Sequence, residues 1–88
     1  MANVKVVLSN GYEVEIGPAP LGKRGDALWL KLSALNAEGD LLKNRGLAVE
    51  VGLMAIAMFS PGIKPEDAAD GLDTANIKRI VRILNADE

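Results

Sequence analysis

The chain has 88 residues, a net charge of −2, and neither cysteine nor histidine. Those counts leave room for one domain and not two. They exclude disulfides, thiolate chemistry and zinc-finger sites, a serine nucleophile activated by histidine, and a global attraction to nucleic acid or anionic membrane.

Residues 4–16 spell a β-hairpin. Two alternating runs, Val4-Lys5-Val6-Val7-Leu8 and Tyr12-Glu13-Val14-Glu15-Ile16, flank Ser9-Asn10-Gly11, and Asn-Gly between such runs is a strong turn signal. A two-residue loop would set Val6 against Glu15 and Leu8 against Glu13. A three-residue loop with Gly11 left-handed sets Leu8 against Tyr12, Val6 against Val14 and Val4 against Ile16. One face is then wholly apolar, and the other carries Lys5 opposite Glu15 with Val7 beside Glu13. Segregation of the two faces selects the three-residue loop. Two strands cannot stand alone in water, so the helical remainder of the chain must cover the apolar face.

Gly17-Pro18-Ala19-Pro20 ends the second strand as a stiff link. Next comes a helix over about 21–37, with Leu28, Leu32 and Leu35 at i, i+4 and i+7, and Leu21 and Trp29 nearby. Gly22 and Gly25 weaken its first turns, which moves its start toward Gly25 or Asp26. Gly39 stops it, and Asp40 is a candidate cap for the next helix, about 41–59. That helix is apolar nearly all round from Val49 to Phe59 apart from Glu50. It is either the central helix of the domain, which is the simpler reading, or a surface for a partner. Gly46 and Gly52 within it mark a close approach or a kink. Ser60-Pro61-Gly62 terminates it. Pro65 opens a short turn of helix, and Asp73 or Thr74 caps a last helix to about Asn85. There Ile77, Ile80, Val81 and Leu84 form an apolar stripe opposite Lys78, Arg79 and Arg82. The fold class is α+β: one domain over 1–88, a hairpin at 4–16, and a helical part over about 21–85 with three main helices and a short extra turn.

Few residues invite a chemistry. Gly17 to Lys23 has the spacing of a phosphate-binding loop. However, Arg24 stands where a Ser or Thr would ligate magnesium, Pro18 and Pro20 delete backbone donors, and the preceding strand belongs to a hairpin. Ser9, Ser33, Ser60 and Thr74 lack a histidine base. Glu66, Asp67, Asp70 and Asp73 do not have calcium-loop spacing and read as caps and a solvated face. Glu13 and Glu15 sit on an open strand face. No catalytic, cofactor-binding or metal-binding residue is expected. Two surfaces remain. Trp29, Met58 and Phe59 are candidate contacts for a protein partner. Lys78, Arg79 and Arg82 are candidate nucleic-acid contacts, with Lys23 and Arg24 as a second basic pair.

The wording Val-Lys-Val-Val-Leu-Ser-Asn-Gly-Tyr-Glu-Val-Glu-Ile, then Gly-Pro-Ala-Pro and a leucine-rich helix, resembles the small tail assembly chaperones of long-tailed bacteriophages and prophages. The resemblance covers residues 4 to about 35 well and the rest in outline, and it supplies no diagnostic residue. It implies a non-enzymatic protein of the host cytoplasm. Such a protein coats the tape-measure protein, keeps that long helical client soluble until tail-tube subunits replace it, and self-associates. Two other functions fit the same residues: a small nucleic-acid-binding or regulatory module, and a structural virion component that self-assembles through the hairpin edge. The longest apolar stretch, 47–59, is shorter than the ~20 residues of a membrane span. The opening Met1-Ala2-Asn3-Val4 has neither a basic leader nor an apolar signal core, in keeping with a cytoplasmic protein.

Overall fold

The computed structural model describes residues 3–20, 22–39 and 41–86, with the side chains of 24, 41 and 42 set aside. A two-stranded antiparallel hairpin, β1 (Val4–Val7) and β2 (Glu13–Ile16), precedes four helices: α1 (Asp26–Glu38), α2 (Arg45–Phe59), α3 (Pro65–Gly71) and α4 (Thr74–Leu84). This is the α+β class that the residue patterns predict.

The hairpin has the register that face segregation selects: Val4 opposite Ile16, Lys5 opposite Glu15, Val6 opposite Val14, Val7 opposite Glu13. The loop closes through Leu8 N–H on the Tyr12 carbonyl at 2.8 Å and Gly11 N–H on the Leu8 carbonyl at 3.0 Å. Gly11 has φ 91°, a conformation that a residue with a Cβ resists. Val6, Leu8, Val14 and Ile16 are buried, while Val4 and Tyr12, at the two ends of the same face, stay partly exposed.

Helix α2 is the central element, in contact with α1, α3, α4 and β2. Ala48, Val51, Gly52, Ala55 and Ile56 are buried along it. The small residues bring neighbours close: a Cβ on Gly52 would lie 3.2 Å from Leu72 Cδ1. Gly46 has no such neighbour and is exposed, so it marks no close approach. The start of the helix differs from the sequence expectation. A 3-10 turn occupies Leu41–Asn44, and α2 proper begins at Arg45. Asn44 caps it, its side chain accepting from Leu47 N–H at 3.1 Å. The physical reason is that an Asn oxygen can take a first-turn donor from the N-cap, and Gly46 supplies a flexible first turn. Asp40 and Leu21, to which the sequence gives roles in capping and packing, lie outside the described residues. Helix α1 starts at Asp26 after a 3-10 turn at Lys23–Gly25.

The hairpin turn is fastened to the junction of α3 and α4 through one carbonyl. Gly71 C=O accepts Ser9 N–H at 2.9 Å, Ser9 Oγ–H at 3.1 Å and the buried Asn76 Nδ2–H at 2.7 Å. Asn10 Nδ2–H adds a bond to the Asp67 carbonyl at 2.8 Å. A Cβ on Gly71 would stand 2.7 Å from Leu8 Cβ and 2.5 Å from Asn10 Oδ1, so only glycine lets the turn sit this close. Asp73 and Asn76 form a reciprocal capping box at the head of α4, each backbone N–H bonded to the other's side chain at 2.8 Å.

Candidate functional site

Helix α1 points Leu28, Leu32 and Leu35 into the core. At 3.6 residues per turn, the opposite side is formed by Asp26, Ala27, Leu30, Ser33, Ala34 and Ala37, and all six are exposed. Leu30 keeps 72% of its surface open to solvent, and Trp29, on the flank, keeps 45%. After the first turn the outer side is mostly small or apolar, centred on Leu30, and this domain does not cover it.

The flanks of the strip are polar and tied down. On one side Lys31 Nζ bonds Glu50 Oε2 at 2.9 Å, bridging α1 to α2, and Glu38 comes near the helix end. On the other side Asn36 and Asn85 exchange amide hydrogen bonds of 2.9 and 3.1 Å, bridging α1 to α4. An apolar centre inside a polar rim, held on a braced helix, is the pattern of a protein–protein contact surface. The small side chains of the three alanines and Ser33 beside Leu30 suit a close approach by a second helix.

Of the sequence-selected residues, Trp29 lies on this surface. Met58 and Phe59 are half-buried at the end of α2 and packed against the core, with Phe59 Cε1 3.3 Å from where a Gly17 Cβ would stand. The residue patterns alone do not single out Leu30. A signal for it is nevertheless present: of the three charges on α1, Lys31 and Glu38 lie on one flank, and Asp26, in the first turn, is the charged residue of the outer side.

Lys78, Arg79 and Arg82 are exposed on the outer side of α4, and Lys23 is exposed on the turn before α1. The side chain of Arg24 lies outside the described residues. The Gly17–Lys23 loop leaves an antiparallel strand. Its Ala19 N–H is engaged by the Leu84 carbonyl at 3.1 Å, which removes a further donor from phosphate duty. Asp67 Oδ2 accepts from Tyr12 Oη–H at 3.4 Å, and Asp73 is committed to capping α4. Glu66 joins Asp67 in the first turn of α3, where acids meet the helix dipole. An open depression of about 320 Å³ lies between the head of α2 and the α3–α4 junction, lined by Arg45, Ala48, Val49, Leu72, Asp73, Thr74 and Ile77. Its one carboxylate is the α4 cap, so it offers no free acid–base pair.

Among the described residues, no helix is long and apolar enough to cross a membrane. Comparison with family models, with curated proteins and with solved structures finds no match for this chain.

Proposed function

We propose that this chain is a non-enzymatic binding protein whose α1 outer face, centred on Leu30 with Trp29 at its flank, receives an apolar helix of a protein client. The observation that carries the reading is the solvent-facing apolar side of α1, with Leu30 72% exposed inside a polar rim. Burying such a side chain is worth about 2 kcal/mol. Pairing with an amphipathic helix is a recurring way of doing so.

The hairpin, the proline link and the leucine-rich helix suggest the class of client through their resemblance to phage tail assembly chaperones. On that reading the client is a tape-measure protein, held soluble in the host cytoplasm until tail-tube subunits displace this chain. A weak, exchangeable contact fits that task better than a sealed interface does.

The test is co-expression with a tape-measure fragment, using the wild-type chain and Leu30→Lys. A soluble complex with the wild type, lost in Leu30→Lys while circular dichroism stays unchanged, is the expected result. Failure of the wild type to form a complex or raise client solubility overturns the client. A complex indifferent to Leu30→Lys overturns the face.

A further inference from the structure

The hairpin turn carries a reactive pair. Of the six asparagines in the chain, Asn10 is the one followed by glycine; the others precede valine, alanine, arginine or isoleucine. The backbone nitrogen that follows an asparagine can attack its side-chain amide, and glycine, having no side chain, obstructs that approach least. Asn10 and Gly11 are both exposed, so water reaches them. The fold, however, engages both reacting groups elsewhere. Gly11 N–H, the nucleophile, donates to the Leu8 carbonyl at 3.0 Å. Asn10 Nδ2, the leaving group, donates to the Asp67 carbonyl at 2.8 Å, which fastens it to α3. Asn10 Oδ1 lies against Gly71, where a Cβ would stand 2.5 Å from it. Ser9, the preceding residue, is bonded twice to the Gly71 carbonyl, which also takes Asn76 Nδ2–H. Main chain and side chain of the pair are thus both pinned to the α3–α4 junction.

We infer that Asn10 is a latent deamidation site, which the folded turn keeps unreacted and which converts only when the turn lifts off the α3–α4 junction. In the step itself Gly11 N forms a bond to Asn10 Cγ. The Nδ2 amino group leaves with the Gly11 proton as ammonia, and a cyclic succinimide remains. Water then opens the ring at one carbonyl or the other, giving aspartate or isoaspartate. Water is the one co-reactant needed. The conversion is a one-way latch because neither product restores the anchor. A carboxylate has no N–H for the Asp67 carbonyl and sets acceptor against acceptor there. It also adds a negative charge to a chain whose net charge is already −2, beside the acids Asp67 and Asp70 of α3. Isoaspartate lengthens the main chain between Ser9 and Gly11 by a methylene. The closing bonds, Leu8 N–H on Tyr12 and Gly11 N–H on Leu8, fit a loop without it.

The test incubates the folded chain and the urea-unfolded chain side by side at mildly alkaline pH. Ion exchange resolves the added charge, and peptide mapping places it. The unfolded chain should convert at Asn10 first among its asparagines, and the folded chain should convert there at least about tenfold more slowly. Asn76→Ala cuts one of the bonds to the Gly71 carbonyl without altering the sequence around Asn10. It should raise the folded rate about fivefold and leave the unfolded rate alone. The same rise should appear in the wild type as urea is increased within its folded baseline. Asn10→Asp, which reproduces one product, should unfold at lower urea and lose exchange protection at the Ser9 amide. Leu30→Lys, remote from the turn, should keep the wild-type rate. Equal rates in folded and unfolded wild type overturn the inference, as does a folded rate that ignores both Asn76→Ala and added urea. An Asn10→Asp chain with the wild-type midpoint and Ser9 protection overturns the one-way latch.

Discussion

Helices α1 and α4 bury similar stripes, Leu28-Leu32-Leu35 and Ile77-Ile80-Val81-Leu84, in the same core, yet their far sides differ. On α4 the far side is Lys78, Arg79 and Arg82 with Ala75 beside them, a surface that water satisfies. On α1 it is Leu30 among alanines, with Asp26 in the first turn and Ser33 as the polar members. The ends differ too. Helix α4 starts with a reciprocal Asp73–Asn76 box, whereas Gly25 at the head of α1 gives no side-chain bond. A buried stripe says only where a helix meets its own domain. The opposite side says whether the domain is all that the helix is built to meet. By that criterion the outer side of α4 needs no cover, and the exposed outer side of α1 is where the proposed client contact is placed.

The inner stripes are where the two helices should agree. Leu32→Ala and Ile80→Ala each remove a side chain with no exposed surface, and each should cost about 3 kcal/mol. The check is a fall in urea midpoint with little change in m. If one substitution cost less than about half the other, the two helices would not share one core on equal terms.

The next largest difference lies at the heads of the helices. Asn76 is buried, and its side chain both accepts from Asp73 N–H and donates to the Gly71 carbonyl. Asn76→Ala should therefore cost about 2 kcal/mol, combining a lost cap with a lost buried hydrogen bond. Helix α1 has no equivalent to lose. Hydrogen exchange in the wild-type chain should accordingly be faster in the first turn of α1 than in the first turn of α4. Equal protection would mean that packing of the Gly25 turn against Pro20 substitutes for a cap.

These contrasts also separate what the sequence discloses from what it hides. Hairpin register comes from keeping valine and glutamate on different faces, and the α4 stripe is a local pattern, so both are legible; for the α4 cap, residue type leaves Asp73 and Thr74 open, and the structure selects Asp73. The Asn44 cap is hidden because Asp40 is an equally good candidate by residue type, and the 3-10 turn that delays α2 to Arg45 leaves no periodic signal. The hub at Gly71 is hidden for a different reason. Ser9, Asn10 and Asn76 converge on this junction from positions far apart in the chain, and no periodicity announces a contact of that range. At the candidate site, Trp29 is conspicuous because tryptophan is rare, whereas Leu30 looks like one more core leucine until the helix phase is fixed. Met58 and Phe59 illustrate the converse. Residues that suit a partner surface also suit a core, and composition does not distinguish the two uses.

A smaller effect concerns the brace beside the α1 strip. Lys31 and Glu50 form a 2.9 Å ion pair in which both groups are solvent-exposed. Glu50→Gln should cost no more than about 0.5 kcal/mol and should lose even that in high salt. A larger loss, insensitive to salt, would show that the pair fixes the angle of α1 against α2 instead of merely decorating it.

The smallest effect on stability is expected at Leu30 itself. Leucine and lysine have similar helix propensities, and a lysine at 30 falls four residues after Asp26, the favourable orientation for an acid–base pair on a helix. Leu30→Lys should thus change unfolding free energy by less than about 0.5 kcal/mol. A leucine that belonged to the core would not behave so, since burying an ammonium in its place would unfold the chain. The same substitution makes the outer side of α1 resemble that of α4, and it should raise solubility and abolish capture of an apolar helix. Wild-type stability with unimpaired capture would leave the unfinished side of α1 without a role. Marked destabilisation would show that the domain does cover it.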